Sequence, residues 1–415
     1  MSSFFKVAKI KQTFEGPEIN DIPSVMNREF SKTEISGTIE PGEKIAITAG
    51  SRGIANIALI IKELAANLKE AGAEPFIVPA MGSHGGATAE GQVKVLNSLG
   101  ITEDYCGAPI RSSMETVNIG ETKDGLSVYM DKLAYEADGV IVMGRIKPHT
   151  DFKAPIESGI CKMASIGLGK HDQALALHTL GIRGIRDVMP EAARIIFDSG
   201  KVKFGVGIVE NAYDHTAIIE AIPVEEIHDR ESELLEKARS LMPSLPVDQC
   251  DVLFVDEIGK NFSGTGMDTN IIGRIRIRGV DEPAKPEINY IVVGDVSAPS
   301  HGNTLGIGLA DLTTERLLNK VNYQAMNENV ITSTFLSRAA VPIVLKNDHD
   351  AIKAALRGNW GVPSRDTRFI RIPNTLEIST VYVSESIYEE VKDLPTVEVL
   401  EEPRDLIFDG EGNLV

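Results

Sequence analysis

One glycine-rich stretch concentrates the residues best suited to chemistry. The chain has 8 histidines in 415 residues, and three of them lie between positions 144 and 178 together with four lysines. Imidazole titrates near neutral pH, so it can take up or release a proton under physiological conditions. We therefore expect an active site that uses part of this stretch, whose candidates are His149, Lys162, Lys170, His171 and His178.

Two of these histidines also have plain structural explanations. His178 lies in "DQALALHTLGI", where the apolar spacing is that of a helix, and a helical histidine often only packs. His171 is flanked by charged residues and could face solvent. His149 is different, because Pro148 stiffens the chain directly after the apolar segment "VIVMGRI". We expect His149 to project from the end of a strand.

Two earlier loops follow apolar segments and carry a basic side chain. The loop "TAGSRG" places Arg52 where a strand turns into a helix. Backbone N–H groups that could face an anion there belong to Gly50, Ser51 and Gly53. The alternative for Arg52 is an exposed residue beside a helix cap. The loop "PAMGSHGGAT" sets His84 among small residues that let a ligand approach, and the alternative is a histidine in a surface turn.

Three arginines alternate in the later segment "GRIRIRG". Arg274, Arg276 and Arg278 would lie on one face of a strand. Such a row is usually solvated or salt-bridged, but in a cleft it would bind a carboxylate or phosphate bidentately. His301, in "SAPSHGNTLG", also follows an apolar segment and is a further candidate.

Alternating strands and helices predict an α/β fold with two α/β domains, mixed sheets and an active-site cleft between the domains. In the first half we expect a strand–helix–strand unit over 43–86, strands over 137–146 and 200–223, and helices over 184–200 and 225–243. In the second half we expect strands over 250–259, 288–297 and 339–346, helices over 309–331 and 348–358, and a final strand and helix over 375–391. Prolines in "SLMPSLPVDQCD" place the boundary near Pro246, which divides the chain into residues 1–246 and 247–415.

The overall composition argues against several classes of protein. A formal net charge of -18 opposes binding to nucleic acid. Three cysteines, far apart and odd in number, fit a reducing compartment. No apolar run approaches the ~18 residues that span a bilayer, and no signal peptide is recognisable, so we expect a cytoplasmic protein without membrane attachment. Walker, GxGxxG, GxSxG and HExxH motifs are absent where their folds would need them.

Taken in order, Arg52, His84, the pair Pro148–His149, Lys162 and His178 resemble the lactate racemase family, whose enzymes use a nickel-pincer nucleotide. The resemblance extends over most of the chain and includes "GMDTNIIGRIRIRG". It implies an isomerase that racemises or epimerises a 2-hydroxy acid. In that chemistry the cofactor takes the α-hydride of the substrate, leaves a planar 2-oxo acid, and returns the hydride to either face.

The resemblance also implies which residues handle the substrate. His84 and His149 would alternately remove and restore the hydroxyl proton, each serving one stereoisomer. A group that titrates near neutrality suits this double role. Arg52 and Arg276, the latter in place of a lysine of the family, would clamp the substrate carboxylate.

Further residues would hold the cofactor. Lys162 would form a thioamide link with it, and Gly50 and Ser51 would contribute to its binding. His178 would supply the protein ligand of nickel, with His171 as the alternative, since imidazole suits this metal. The implied partners are a small hydroxy acid and the proteins that synthesise and load the cofactor.

Three departures from the family predict a hydroxy acid other than lactate. Ala49 stands where the family has an acidic residue, Gly273 replaces a glutamine and would enlarge the pocket, and the segment from His149 to Lys162 is longer. Two other interpretations keep the histidines. One is a lyase or dehydratase with a divalent metal or none, and the other is a protein that only binds a hydroxy acid or nucleotide.

Overall fold

Two units, each built on its own sheet, make up the computed structural model, which describes residues 4–415. The N-terminal unit is Glu15–Met242, and the C-terminal unit consists of residues 4–14 and Pro243–Val415. This division differs from residues 1–246 and 247–415 chiefly at strand β1 (Lys6–Gln12), which pairs with two strands of the C-terminal unit. The cleft expected between the domains stays a prediction.

The N-terminal unit contains a doubly wound sheet and a separate hairpin. Its strands are β2 (Lys44–Ala49), β3 (Glu74–Pro79), β4 (Thr116–Glu121), β5 (Ser127–Asp131), β6 (Gly139–Arg145), β7 (Val202–Glu210) and β8 (Thr216–Pro223). The main sheet has the order β3-β2-β6-β7-β8, in which only β8 runs antiparallel to its neighbour, and β4 pairs with β5 in the hairpin. From β2 the chain goes to β3 on one side and later to β6 on the other. In such sheets ligands bind at the carboxyl ends of the two strands where the winding reverses.

Helices cover both faces of this sheet. They are α1 (Ile22–Phe30), α2 (Thr33–Ser36), α3 (Ile57–Glu70), α4 (Ala89–Ser98), α5 (Glu103–Cys106), α6 (Lys132–Glu136), α7 (Ile160–Lys162), α8 (Lys170–Thr179), α9 (Met189–Asp198) and α10 (Ile227–Ser240). Along β6, Val140 and Val142 pack into one apolar core, whereas Ile141 and Met143 pack into the other. A strand buried on both faces is a continuous apolar run, which explains the composition of "VIVMG".

The C-terminal unit is a mixed sheet. Its further strands are β9 (Gln249–Ile258), β10 (Glu287–Val296), β11 (Leu312–Thr314), β12 (Ile343–Leu345), β13 (Phe369–Ile372), β14 (Thr380–Ser384) and β15 (Val397–Asp405). The order is β12-β11-β10-β9-β13-β14-β1-β15, parallel from β12 to β13 and antiparallel beyond. Its helices are α11 (Thr269–Ile272), α12 (Glu315–Leu318), α13 (Tyr323–Ser333), α14 (Asp348–Gly358) and α15 (Glu385–Val391). Within residues 4–415, no helix has the length and apolarity needed to cross a bilayer.

Two expectations for the C-terminal unit are wrong. The single helix over 309–331 is interrupted, because β11 inserts beside β10 and the hydroxyls of Thr313 and Thr314 donate to β10 carbonyls at 2.9 and 2.6 Å. The strand through the alternating arginines does not form. Gly273 (φ +59°) ends α11 in the left-handed region, and Arg276 (φ +50°) has a backbone that no strand accommodates. The other predicted strands and helices are confirmed within a few residues.

Candidate active site

Three neighbouring parallel strands end in the loops that carry the predicted site residues. Because β2 lies between β3 and β6, the loops after Ala49, Pro79 and Arg145 emerge side by side. A hydrogen bond between Ser51 Oγ and His84 Nδ1 joins the first two loops. The winding reverses between β2 and β6, so the Arg52 loop lies at this point, with the His149 loop on one side and the His84 loop on the other.

The charges near His84 favour its neutral form. Partial burial of the ring is the largest cause that lowers the pKa of His84, and the positive charges of Arg52 and Lys162 lower it further. Arg52 itself is exposed, and the described part of the chain places no carboxylate within ion-pair distance of it. His84 is thus a base rather than a cation near neutral pH, beside an unpaired guanidinium.

A buried network holds the His84 loop from below. Gln92 on α4 donates from Nε2 to the carbonyl oxygens of Gly82 (2.9 Å) and His84 (3.2 Å). Its Oε1 accepts a hydrogen bond from Lys170 Nζ at 3.2 Å, and the same amine lies 3.0 Å from Asp131 Oδ2 and donates to the Pro79 carbonyl. Lys170 and Asp131 are fully buried. Lys170, a candidate for chemistry by its place in the sequence, is therefore a structural residue, and Gln92 and Asp131 had no local signal in the sequence.

His149 is fixed through both its backbone and its ring. Its backbone N–H donates to Glu157 Oε2 at 2.6 Å, and its ring stacks on Phe152 with 4.6 Å between centroids. The N–H of Asp151 donates to Nδ1 at 3.1 Å, while Nε2 lies 3.1 Å from Lys162 Nζ. The loop thus orients the imidazole and directs Nε2 to the lysine.

Glu157 explains the long segment between His149 and Lys162. This buried carboxylate accepts the N–H of His149 and also the N–H of Ala154 at 2.8 Å, and Arg239 on α10 donates to it at 2.7 Å. One ion pair therefore ties the loop to the helix packed beneath it. The segment is an anchor for His149, a role that the sequence did not indicate.

Lys162 ends α7 and is half-buried. Burial is the largest cause that lowers its pKa to about 8; Arg52 and Lys147 lower it as well, and the negative charge of Asp151 opposes them. The turn that follows, Met163–Gly167, is π-helical, a distortion common at functional sites. A lysine with this pKa has a sizeable neutral fraction near neutral pH.

A buried glutamate supports α7 from below. Glu231 Oε2 accepts the N–H of Cys161 at 2.8 Å, and burial raises the pKa of this carboxyl to about 7. A Cβ at Gly159 would lie 2.5 Å from Glu231 Oε1, so the close approach requires glycine. Glu231 comes from α10, far along the chain, and no local pattern pointed to it.

The histidines of α8 differ in their surroundings. The pKa of His178 is lowered by burial first and then by the charge of Lys162, while Asp151 opposes them. His178 therefore lies within electrostatic range of Lys162 and is neutral near pH 7. His171, at the start of α8, and His178, near its end, are both exposed, so they differ in the charges around them rather than in exposure. In the described chain, no group of three or more His, Cys, Asp or Glu side chains could hold a metal ion by itself.

The arginines of the C-terminal unit are engaged with a carboxylate. Arg274 Nη1 and Arg276 Nη2 each lie 2.6 Å from an oxygen of Asp311. Arg276 Nη1 also donates to the carbonyls of Gly308 (2.6 Å) and Ala310 (3.0 Å). Arg274 and Arg276 are thus salt-bridged, which was the alternative to anion binding for this row of arginines. The role of Arg276 as a substrate clamp stays a prediction.

Both unusual positions in the resemblance have local structural causes. Ala49, the last residue of β2, is buried in an apolar core. A Cβ at Gly273 would lie 1.9 Å from the Pro286 carbonyl oxygen, so no larger residue fits this backbone. His301 ends a short turn in the left-handed region of the C-terminal unit.

Comparison with known proteins connects this geometry to a family. Residues 5–184 match the model of the lactate racemase N-terminal domain. The range includes every strand-end loop described above for the N-terminal unit, together with α8. No curated protein matches the sequence.

A solved structure shares the fold of nearly the whole chain. The lactate racemase apoprotein from Thermoanaerobacterium thermosaccharolyticum superposes with a TM-score of 0.51 at 11% sequence identity, covering 90% of this chain and 99% of that one. At this identity the likeness concerns the fold. Residues 5–184 thus match the lactate racemase N-terminal domain, and nearly the whole chain shares the fold of that apoprotein.

Proposed function

We propose that the protein is a racemase or epimerase of a 2-hydroxy acid that works with a nickel-pincer nucleotide. The observation that carries this proposal is the meeting of three strand-end loops. They bring Ser51 against His84 and His149 against Lys162, with the charge of Arg52 acting on His84. The match of residues 5–184 to the lactate racemase N-terminal domain supports an enzyme of the isomerase class.

Two histidines and one arginine would act on the substrate. His84 is neutral near pH 7 and can take the hydroxyl proton, and His149 does so for the opposite stereoisomer. Arg52 is available to bind the carboxylate, because it has no ion-pair partner in the described chain. Arg276 is a weaker candidate for this task, since a substrate would have to compete with Asp311.

The residues present fit the cofactor. Lys162 can react as a neutral amine to make the thioamide link, and His178 offers the neutral imidazole that a metal requires. Gly50 and Ser51 lie in the loop that follows β2, beside Arg52. When bound, the nucleotide would supply the acceptor and donor of the α-hydride. The protein would hold it, orient the substrate through Arg52, and move protons at the substrate hydroxyl oxygen through His84 and His149.

We propose a substrate other than lactate. Ala49 and Gly273 no longer support this view, because packing and backbone geometry explain both. The remaining support is the longer loop between His149 and Lys162, which reshapes the wall beside His149. Faster turnover of lactate than of any larger 2-hydroxy acid would contradict the proposal.

Loading the protein tests the proposal directly. Co-expression with cofactor-synthesis enzymes should give stoichiometric nickel and a mass adduct on Lys162. Variants His84→Ala and His149→Ala should keep the adduct and lose turnover, whereas Lys162→Ala and His178→Ala should lose nickel. His171→Ala is the matched control and should retain the metal. Turnover without an adduct would indicate a lyase or dehydratase, and ligand binding without turnover a binding protein.

A further inference from the structure

Both ring nitrogens of His149 have a neighbour that constrains the ring proton. The N–H of Asp151 donates to Nδ1 at 3.1 Å, and Lys162 Nζ lies 3.1 Å from Nε2. A backbone amide can only donate, so Nδ1 must present its lone pair. A neutral imidazole has one ring proton, which must then be on Nε2. The group that faces this N–H is the amine of Lys162.

The tautomer of His149 has a consequence for the charge of Lys162. An ammonium group has three donors and no lone pair, so it cannot accept a hydrogen bond from Nε2–H. A free amine has a lone pair and can. We propose that, before any group is bound, His149 stabilises the free-amine form of Lys162 for acyl or thioacyl transfer to its nitrogen, and that this transfer releases His149 for proton transfer.

The surroundings of Lys162 also raise the fraction of the amine that is neutral. Burial, Arg52 and Lys147 lower the pKa of the amine to about 8, and Asp151 alone raises it. The other titratable groups on the neighbouring elements are His84, His149, His178 and Glu231. Burial lowers the pKa of His84 and His178, so both imidazoles favour their neutral forms near pH 7, and burial raises the pKa of Glu231 to about 7, so this carboxyl is only partly ionised there.

The transfer changes what the lysine nitrogen can do. Its lone pair attacks the carbonyl or thiocarbonyl carbon of an activated acyl donor, the C–N bond forms as the bond to the leaving group breaks, and one nitrogen proton departs with the leaving group. The product nitrogen shares its lone pair with C=O or C=S and no longer accepts a hydrogen bond. Nε2–H is then available to another acceptor. That it serves the substrate hydroxyl rests on the proposed function, whereas the state of the free amine does not.

Trace labelling of the unloaded protein measures this state. We would react it with substoichiometric acetic anhydride between pH 6 and 10 and quantify acetylation of each lysine by peptide mass spectrometry, with the exposed Lys123 as internal reference. Labelling of Lys162 should reach half its maximum near pH 8. At pH 7 its neutral fraction should exceed that of an ordinary lysine by about two orders of magnitude. A Lys162 profile that follows Lys123 would overturn the inference.

Variants test whether His149 is the cause. His149→Phe keeps a ring to stack on Phe152 but removes Nε2–H, so the labelling midpoint of Lys162 should move about one pH unit upward. His215→Phe, which changes an exposed histidine elsewhere in the unit, should leave it in place. An unmoved midpoint in His149→Phe would refute the role of His149. If that variant does not fold, ¹⁵N NMR of the native protein decides, since a neutral His149 with its proton on Nδ1 contradicts the inference.

The two proposals can fail separately. A reactive Lys162 in a protein that never acquires nickel would remove the proposed function and leave this inference standing. A protein that loads the nickel adduct although its Lys162 labels like Lys123 would do the reverse.

Discussion

Both units place cations at one end of their parallel strands, the carboxyl end in the N-terminal unit and the amino end in the C-terminal unit, but they differ in how these charges are balanced. In the C-terminal unit, Arg274 and Arg276 share the carboxylate of Asp311. In the N-terminal unit, Arg52 has no such partner in the described chain, and Lys162 faces the imidazole of His149. A cation paired with a carboxylate contributes to folding, whereas an unpaired one is available to a ligand. In a chain of net charge -18, we expect an anion to bind where positive charge is left uncompensated.

The same contrast exists within a single stretch. Lys162 and Lys170 are eight positions apart in the sequence, yet Lys170 is fully buried against Asp131 and Lys162 is half-buried beside His149. Both residues are lysines in a glycine-rich segment. Only the partner of each amine therefore distinguishes the structural role of Lys170 from the chemical role proposed for Lys162. The following experiments test this distinction, from the largest expected effect to the smallest.

Lys170→Met should cost the most stability. It leaves the fully buried carboxylate of Asp131 without its cation, and breaking such a pair costs about 3–5 kcal/mol. Lys162→Met, the matched control, should change the free energy of unfolding by less than about 1 kcal/mol. Urea denaturation of both variants measures the difference. An equal loss of unfolding free energy in both variants would contradict the distinction between a structural Lys170 and a chemical Lys162.

Glu231 should give the protein a pH-dependent stability. Its pKa is raised from 4.5 to about 7 in the folded protein, so between these values the folded state keeps a proton that the unfolded state has released. The contribution to stability is complete below pH 4.5 and is lost as pH rises through 7, in total roughly 3 kcal/mol. Denaturation from pH 4.5 to 8 should show this fall in the native protein and a flatter profile in Glu231→Gln. The exposed Glu225→Gln should retain the native profile, and an unchanged profile in Glu231→Gln would contradict the assignment.

Arg52→Ala and Arg276→Ala should separate binding from folding. Loss of Arg52 should weaken binding of a 2-hydroxy acid about tenfold to hundredfold, because a hydrogen bond to a charged group contributes about 1.5–3 kcal/mol. It should change stability by no more than about 0.5 kcal/mol. Arg276→Ala should cost about 1 kcal/mol of stability, since its ion pair is partly exposed, and should weaken binding less. Calorimetry and denaturation measure both, and an equal loss of affinity would place Arg276 in the site.

Local patterns predicted the elements that depend on local chemistry. The strand–helix–strand unit of β2, α3 and β3 and the buried strand β6 follow from apolar runs separated by glycine turns, and all are confirmed. The sequence predicts a helix where β11 forms, because a segment of three apolar and β-branched residues is too short to identify a strand. These residues form a strand because they pair with β10, and this pairing is a long-range contact that local patterns do not show.

The candidate site shows the same division. Loops after parallel strands indicated Arg52, His84 and His149, and the sheet order brings these loops side by side. The supporting residues had no local signal. Gln92, Glu157 and Glu231 are polar residues within ordinary segments, and each acquires its role from a partner on another element.

By itself the sequence determined which residue types stand at which strand ends, because apolar periodicity and glycine turns are local properties of the chain. Only the tertiary structure decided which cations are compensated. Lys170 meets Asp131, Arg276 meets Asp311, and Lys162 meets a histidine whose tautomer is set by a backbone amide. Charge state depends on burial and on neighbours brought together from distant parts of the chain, and these exist only once the sheet has formed.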